Sequence, residues 1–160
     1  MIVDITISDL GVISQATLPL GPGLTVVTGE TGAGKTMVVT ALGLLLGARA
    51  DAARVRSGSQ SSWVEGRFSL EQSPGVRARA EELGAAIDDH DLVLSREVQS
   101  EGRSRALVGG RSAPVSALSE LAEELVVIHG QSDQIRLKSE AAQRDALDRF
   151  AGDELRVVLA

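Results

Sequence analysis

The sequence predicts a mixed α/β fold: antiparallel strands first, then a Gly-rich loop and a buried helix, then further strands and helices. Three observations carry this. Ile2, Val3, Asp4, Ile5, Thr6 and Ile7 alternate apolar with polar side chains and are rich in β-branched types, the pattern of a half-buried strand. Residues 24–36 pass from an apolar run through a Gly-rich loop into a segment of helical periodicity. Beyond residue 60, strand-like and helix-like patterns take turns without an internal repeat, which argues against a helix bundle or a sandwich.

Taken in order, residues 16–20 form a second short strand, and Gly21, Pro22 and Gly23 turn the chain. Residues 24–28 (Leu, Thr, Val, Val, Thr) are continuously apolar enough to be a third, buried strand. Residues 29–34 are the loop. Residues 35–47 are helical, and Met37, Val38, Ala41, Leu42, Leu44, Leu45 and Leu46 nearly cover the circumference, which predicts burial all round. Residues 48–61 read as a loop containing Arg49, Arg54 and Arg56. In residues 63–70, Trp63, Glu65, Arg67 and Ser69 fall on one face of a strand and Val64, Gly66, Phe68 and Leu70 on the other. A short charged helix follows at 75–83, then a solvated turn with Asp88, Asp89 and Asp91. Residues 92–98 and 105–108 are the arms of a hairpin. Residues 112–125 open with Pro114 and run on as an amphipathic helix, Leu118, Leu121, Ala122 and Leu125 on one side. Val126, Val127 and Ile128 make a short buried strand, 131–138 a loop, and 140–151 a helix capped by Ser139. A last helix starts at Asp153 and stops with the chain, which suggests a fragment.

Composition narrows the function. Apolar residues are 43% and charged residues 24% of 160, a globular profile, and with only 2% aromatics the core must be aliphatic. The net charge of -6 weighs against a general nucleic-acid binder, though not against a local basic patch. The absence of cysteine excludes a disulfide scaffold, a thiolate metal site and a Cys nucleophile. Residues 37–48 are the longest apolar stretch and are too short to span a bilayer. The first residues lack the basic region of a signal peptide, so a cytoplasmic location is expected. Of 16 basic residues, only Lys35 and Lys138 are lysine. A chain that uses Arg elsewhere and keeps Lys at one place suggests that Arg will not serve there.

Gly29, Glu30, Thr31, Gly32, Ala33, Gly34, Lys35 and Thr36 match the phosphate-binding (Walker A) pattern of Gly, four residues, Gly-Lys-Ser/Thr. The glycines let the backbone turn its N–H groups inward as an anion nest. The following helix adds its N-terminal dipole and unpaired amides. Lys35 places a point charge at the β- and γ-phosphates, and the Thr36 hydroxyl is placed for Mg²⁺. The flanking strand and helix are the context the pattern requires.

The run 24–36, together with Ala41-Leu42-Gly43-Leu44-Leu45-Leu46-Gly47, Val55-Arg56-Ser57-Gly58, Gly102-Arg103-Ser104-Arg105-Ala106, Gly109-Gly110-Arg111 and Ile128-His129-Gly130-Gln131, resembles the N-terminal head of the RecN family, bacterial double-strand-break repair ATPases related to SMC proteins. The resemblance covers essentially the whole chain. It implies the N-terminal lobe of an ABC/SMC-type P-loop NTPase head at residues 1–152, with a mixed sheet, antiparallel N-terminal strands and flanking helices, and the start of a coiled-coil arm at 153–160. It implies ATP and Mg²⁺ as cofactors and a site role for Gln131, reaching toward Mg²⁺ and the attacking water; His129 is given none. It also implies a role in DNA repair and recombination at the nucleoid. The partners would be the C-terminal lobe, a second head joined by ATP, and DNA in the complete protein. Two positions depart from the family: Thr36 stands where Ser is commoner, and Thr40 where relatives are often acidic.

Two parts of an ABC-type ATPase are absent from the 160 residues: an apolar strand ending in Asp-Glu, and a Ser-Gly-Gly signature. Residues 125–128 end in His129, and Val108-Gly109-Gly110-Arg111 lacks the Ser. Slow or no hydrolysis by this chain alone is therefore expected. Arg49, Arg54 and Arg56 in one loop, and Arg103, Arg105 and Arg111 around a hairpin, are either phosphate contacts to DNA or solvated surface charges. A small P-loop kinase and a stand-alone nucleotide-binding module remain as other readings.

Overall fold

A computed structural model describes residues 1–29 and 34–126, and Gln143, Arg144 and Leu147 in the remainder. Residues 1–126 form one compact unit. Its frame is an antiparallel sheet of seven strands: β1 (Ile2–Leu10), β2 (Ile13–Pro19), β3 (Ser61–Ser69), β4 (Ile87–Asp88), β5 (Asp91–Gln99), β6 (Ser104–Val108) and β7 (Arg111–Ala113). The strand order is β2-β1-β3-β5-β6-β7, with β4 paired to β5. Three helices accompany it: α1 (Lys35–Leu45), α2 (Pro74–Glu82) and α3 (Val115–Leu125).

Alternation decides which face is covered. Val64, Gly66 and Phe68 of β3 are buried, as are Leu92, Leu94 and Val98 of β5 and Ala106 and Val108 of β6. The opposite face carries Asp4, Glu65, Arg67, Asp91 and Glu97, and there Arg67 pairs with Asp4 and Asp91. In β1 the alternation slips. Asp9 adopts a positive φ of 52°, so Leu10 rather than Asp9 joins Ile5 and Ile7 in the core. Ala41, Leu44 and Leu45 of α1 and Leu118 and Leu121 of α3 close the core from above. Each such aliphatic side chain contributes about 1.5–3 kcal/mol on burial. Gly66 is where α1 comes closest: a Cβ there would lie 2.7 Å from Leu45 Cδ1.

Several expectations change. Residues 24–28 are not a strand, and Leu24 and Val26 are 91% and 68% exposed. The residue types suit a strand, but the described residues supply no pairing strand, and the segment lies beside Thr17, Leu18, Pro19 and Leu20 without joining the ladder. Helix α1 is not buried all round. Val39 is 58% exposed, because the sheet covers only the face bearing Ala41, Leu44 and Leu45. The loop at 48–61 contains a 3-10 turn, Ala52–Arg54, capped by the Asp51 carboxylate accepting from Ala53 N. Asp88 belongs to a two-residue strand rather than to the turn. Arg111 begins β7, at the far end of β6 from Arg103, so Arg103, Arg105 and Arg111 do not form one cluster. The hairpin of β5 and β6 and the helix at 74–82 are close to the sequence reading, but the helix expected at 112–125 begins only at Val115, because Ser112 and Ala113 belong to β7, which pairs with β6, and Pro114 caps the helix. Val127, Ile128 and the segments 131–138 and 153–160 lie outside the described residues, as does all of 140–151 except Gln143, Arg144 and Leu147. Val126 itself is not in a strand. Among the described residues, no helix is long and apolar enough to cross a membrane.

Candidate functional site: the amino end of the first helix

The first turn of α1 is where the sequence motif meets the fold. Gly34 is the N-cap, at φ 94°, a left-handed conformation that other residues rarely adopt. Its carbonyl accepts from Met37 N at 2.8 Å and Val38 N at 3.1 Å, which starts the helix. Gly34 is buried against the turn between β1 and β2, and a Cβ there would lie 3.3 Å from Ile13 Cγ1. No acidic residue stands in the first turn of α1 itself, where one would neutralise the positive end of the helix dipole. Lys35 Nζ donates to the carbonyl of Gly29, the first residue of the motif. The two ends of the loop are thus brought together by the lysine of the motif itself. Thr36 is exposed.

A second loop clasps this region. Gly11 N donates to Arg54 O at 2.7 Å, and Arg56 N donates to Asp9 O at 2.8 Å. The Arg56 guanidinium donates to Val12 O at 2.9 Å, fixing the hairpin tip next to Gly34. Arg54 donates to Thr40 Oγ1 at 2.9 Å, and Thr40 Oγ1 donates to Thr36 O at 2.9 Å. Loop 51–56 is therefore tied both to the β1–β2 tip and to the phosphate-loop helix. Where a carboxylate at position 40 would form an ion pair with Arg54, the neutral Thr40 hydroxyl accepts a hydrogen bond from the guanidinium.

Of the residues singled out from the sequence, Gly29, Gly34, Lys35 and Thr36 are brought together at this helix end. Glu30, Thr31, Gly32, Ala33, His129 and Gln131 lie outside the described residues. The arginines divide. Arg54 carries Asp51 at 3.4 Å, Arg103 carries Glu101 at 3.2 Å, and Arg105 is paired with Glu97. Arg49 makes no ion pair among the described residues. Arg103 and Arg105 therefore offer little net charge to a phosphate backbone. Sequence reasoning missed Val12, Ser62 and Arg96. The last two had a signal: Ser62 extends the buried face of Val64 and Phe68, and Arg96 shares a face with Leu92, Leu94 and Val98.

Comparison with known proteins follows from this geometry. The AAA domain family matches residues 4–141. The DNA repair protein RecN of Streptomyces coelicolor is 59% identical over 96% of this chain, and that of Halalkalibacterium halodurans is 41% identical over 99%. The chain spans 27% and 28% of those relatives' lengths. Among solved structures, the Smc head domain with a coiled coil and joint from Pyrococcus yayanosii superposes with a TM-score of 0.63 at 20% identity, covering 91% of this chain and 29% of that one. The recombination mediator RecF-ATP gives 0.61 at 15% identity, covering 93% of this chain and 38% of that one. The structural likenesses establish an ABC/SMC-type ATPase head fold with an antiparallel sheet and flanking helices.

Proposed function

The chain belongs to the AAA domain family and is a homologue of the DNA repair protein RecN over nearly its whole length, and on that premise we propose that it is the ATP-binding side of a RecN-like repair ATPase head. The observation that carries this reading is the convergence of Gly29, Gly34 and Lys35 on the amino end of α1. The residues fit a triphosphate. A left-handed backbone that favours glycine caps the helix, and the Lys35 ammonium lies on the Gly29 carbonyl, where a phosphate would compete for it. In the ligand-bound state Lys35 exchanges the Gly29 carbonyl for β- and γ-phosphate oxygens, a replacement of a dipole by full charges. The Thr36 hydroxyl holds Mg²⁺, which neutralises phosphate charge when bound.

Gln131 is assigned to the Mg²⁺ and water side of the site, on the resemblance of Ile128-His129-Gly130-Gln131 to the family. The base and the signature that clamps the γ-phosphate are supplied from outside these 160 residues, by a C-terminal lobe and by a second head. The exposed segment at 24–28 supports that division. Its apolar, β-branched run gains a partner when another lobe contributes a strand, and the sheet then extends under the loop. Hydrolysis by this chain alone is slow or absent. Repair and recombination of DNA, in the cytoplasm at the nucleoid, are the setting that the RecN relatives suggest.

Binding of a fluorescent ATP analogue with and without Mg²⁺ tests the assignment. Wild type is expected to bind more tightly with Mg²⁺. Thr36→Val is expected to keep Mg²⁺-free binding and lose that enhancement. An enhancement that survives Thr36→Val contradicts the metal role of this hydroxyl.

A further inference from the structure

A second cleft, of about 240 Å³, opens between α1 and the loop that follows it. Ser62 and Val98 lie at its floor, Thr40 and Gly43 on its helix side, and Arg49 and Arg54 at its rim. Ser62 is 1% exposed, and its Oγ has no hydrogen-bond partner. An unsatisfied buried hydroxyl is destabilising by about 1–3 kcal/mol, so such an atom calls for a ligand or a water.

The charges around it are lopsided. Asp51 also faces the cleft, but its carboxylate is held by Arg54 and by Ala53 N. Arg49 has no carboxylate among the described residues. Behind the floor, Arg96 shares the buried face of β5 with Val98 and is 2% exposed. Its Nη2 donates to Ser104 Oγ at 3.1 Å, while Nε and Nη1 have no acceptor. A buried cation with two idle donors favours an anion nearby, because low polarisability strengthens the attraction.

We propose that this cleft is an oxyanion subsite sized for one phosphate group, with the Ser62 hydroxyl and the Arg49 guanidinium as its direct ligands and Arg96 as the buried charge behind them. The volume accommodates a phosphate with several waters but falls below the roughly 300 Å³ at which pockets begin to hold larger ligands. The phosphate comes either from a free inorganic ion or from a nucleic-acid backbone, and the chemistry of the site is the same for both. Of the described motif residues, Gly29, Gly34, Lys35 and Thr36, none lines the cleft.

The test is thermal unfolding of the full chain in a Lys35→Ala background, which removes the lysine of the phosphate loop. Inorganic phosphate, against chloride at matched ionic strength, is expected to raise Tm by about 2–4 °C. Ser62→Val and Arg49→Ala should each abolish the rise. Ser62→Ala, which removes the unsatisfied hydroxyl and adds no atom to a buried position, should likewise abolish the rise and without phosphate should melt no lower than its parent, which separates a lost ligand from a damaged fold. A short DNA duplex that stabilises with the same Ser62 dependence assigns the subsite to a nucleic-acid backbone; stabilisation by inorganic phosphate alone assigns it to the free ion. No rise with either, or a rise that persists in Ser62→Val, overturns the proposal.

Discussion

Lys35 is one of two lysines in a chain with fourteen arginines, and its Nζ lies on the carbonyl that opens the phosphate loop. An ammonium can approach that carbonyl as a compact point donor and move to a phosphate by rotating its stem, whereas a planar guanidinium needs a wider fork. Gly47 shows how a single residue positions this site from a distance. It ends α1 at φ 83°, and a Cβ there would overlap the Ser119 side chain of α3. Ser119 Oγ already donates to Leu46 O at 3.4 Å, so the two helices meet at this point. Gly47→Ala is therefore expected to destabilise the fold by about 1–3 kcal/mol, through backbone strain and overpacking together, as measured by denaturant unfolding. An unchanged midpoint would mean that α1 and α3 are not locked there.

Elements differ in how far they can be read without coordinates. The strand at 61–69 was legible because its buried face is marked by Val64, Phe68 and the intervening Gly66, a period-two signal that no helix shares. The hairpin of β5 and β6 was legible from its turn, Gln99 to Arg103, where Gly102 takes a positive φ. The segment at 24–28 was misread for a physical reason. Apolar β-branched residues report a preference for pairing, but the partner is a non-local fact that periodicity does not carry. The same limit made α1 look buried all round, since its sequence is apolar on every side while the sheet meets only one. Arg96 and Ser62 were missed because attention went to motifs and loops, not to a charged or polar residue on an apolar face. A consequence belongs to this scale. Replacing Leu24 and Val26 with Ser should change the unfolding free energy of this chain by no more than about 0.5 kcal/mol, as for other exposed positions. A loss of several kcal/mol would show that the segment is buried in solution.

On the scale of the whole molecule, the sheet and its helices place the phosphate loop at one end of α1 and present a charged face on the other side of the sheet. That outer face is acidic on balance: Arg67 faces both Asp4 and Asp91, Arg105 faces Glu97, and Glu65 stands beside them. Within residues 1–126, Arg49, Arg56, Arg77, Arg111 and the buried Arg96 make no ion pair with a described carboxylate. The motif at 29–36 was legible in the sequence; of its residues the structure describes Gly29, Gly34, Lys35 and Thr36, at the amino end of α1. The clasp that links this loop to Arg54 and Arg56 was not legible, because it joins residues far apart in the chain through backbone carbonyls. Phosphate release by the purified chain, followed with ATP and Mg²⁺, is expected to stay at background and to appear only when the missing carboxylate strand and signature are supplied on a second polypeptide. Turnover at rates ordinary for a complete ATPase would contradict the division of the site.

The most direct measurement is calorimetric titration of ATP with Mg²⁺ into the wild-type chain and into Lys35→Ala. The account predicts saturable one-to-one binding to wild type, and an affinity lower by at least about tenfold in Lys35→Ala, which corresponds to a loss of about 1.4 kcal/mol or more. No binding heat with wild type at millimolar ATP, or equal affinity in the two proteins, would contradict it.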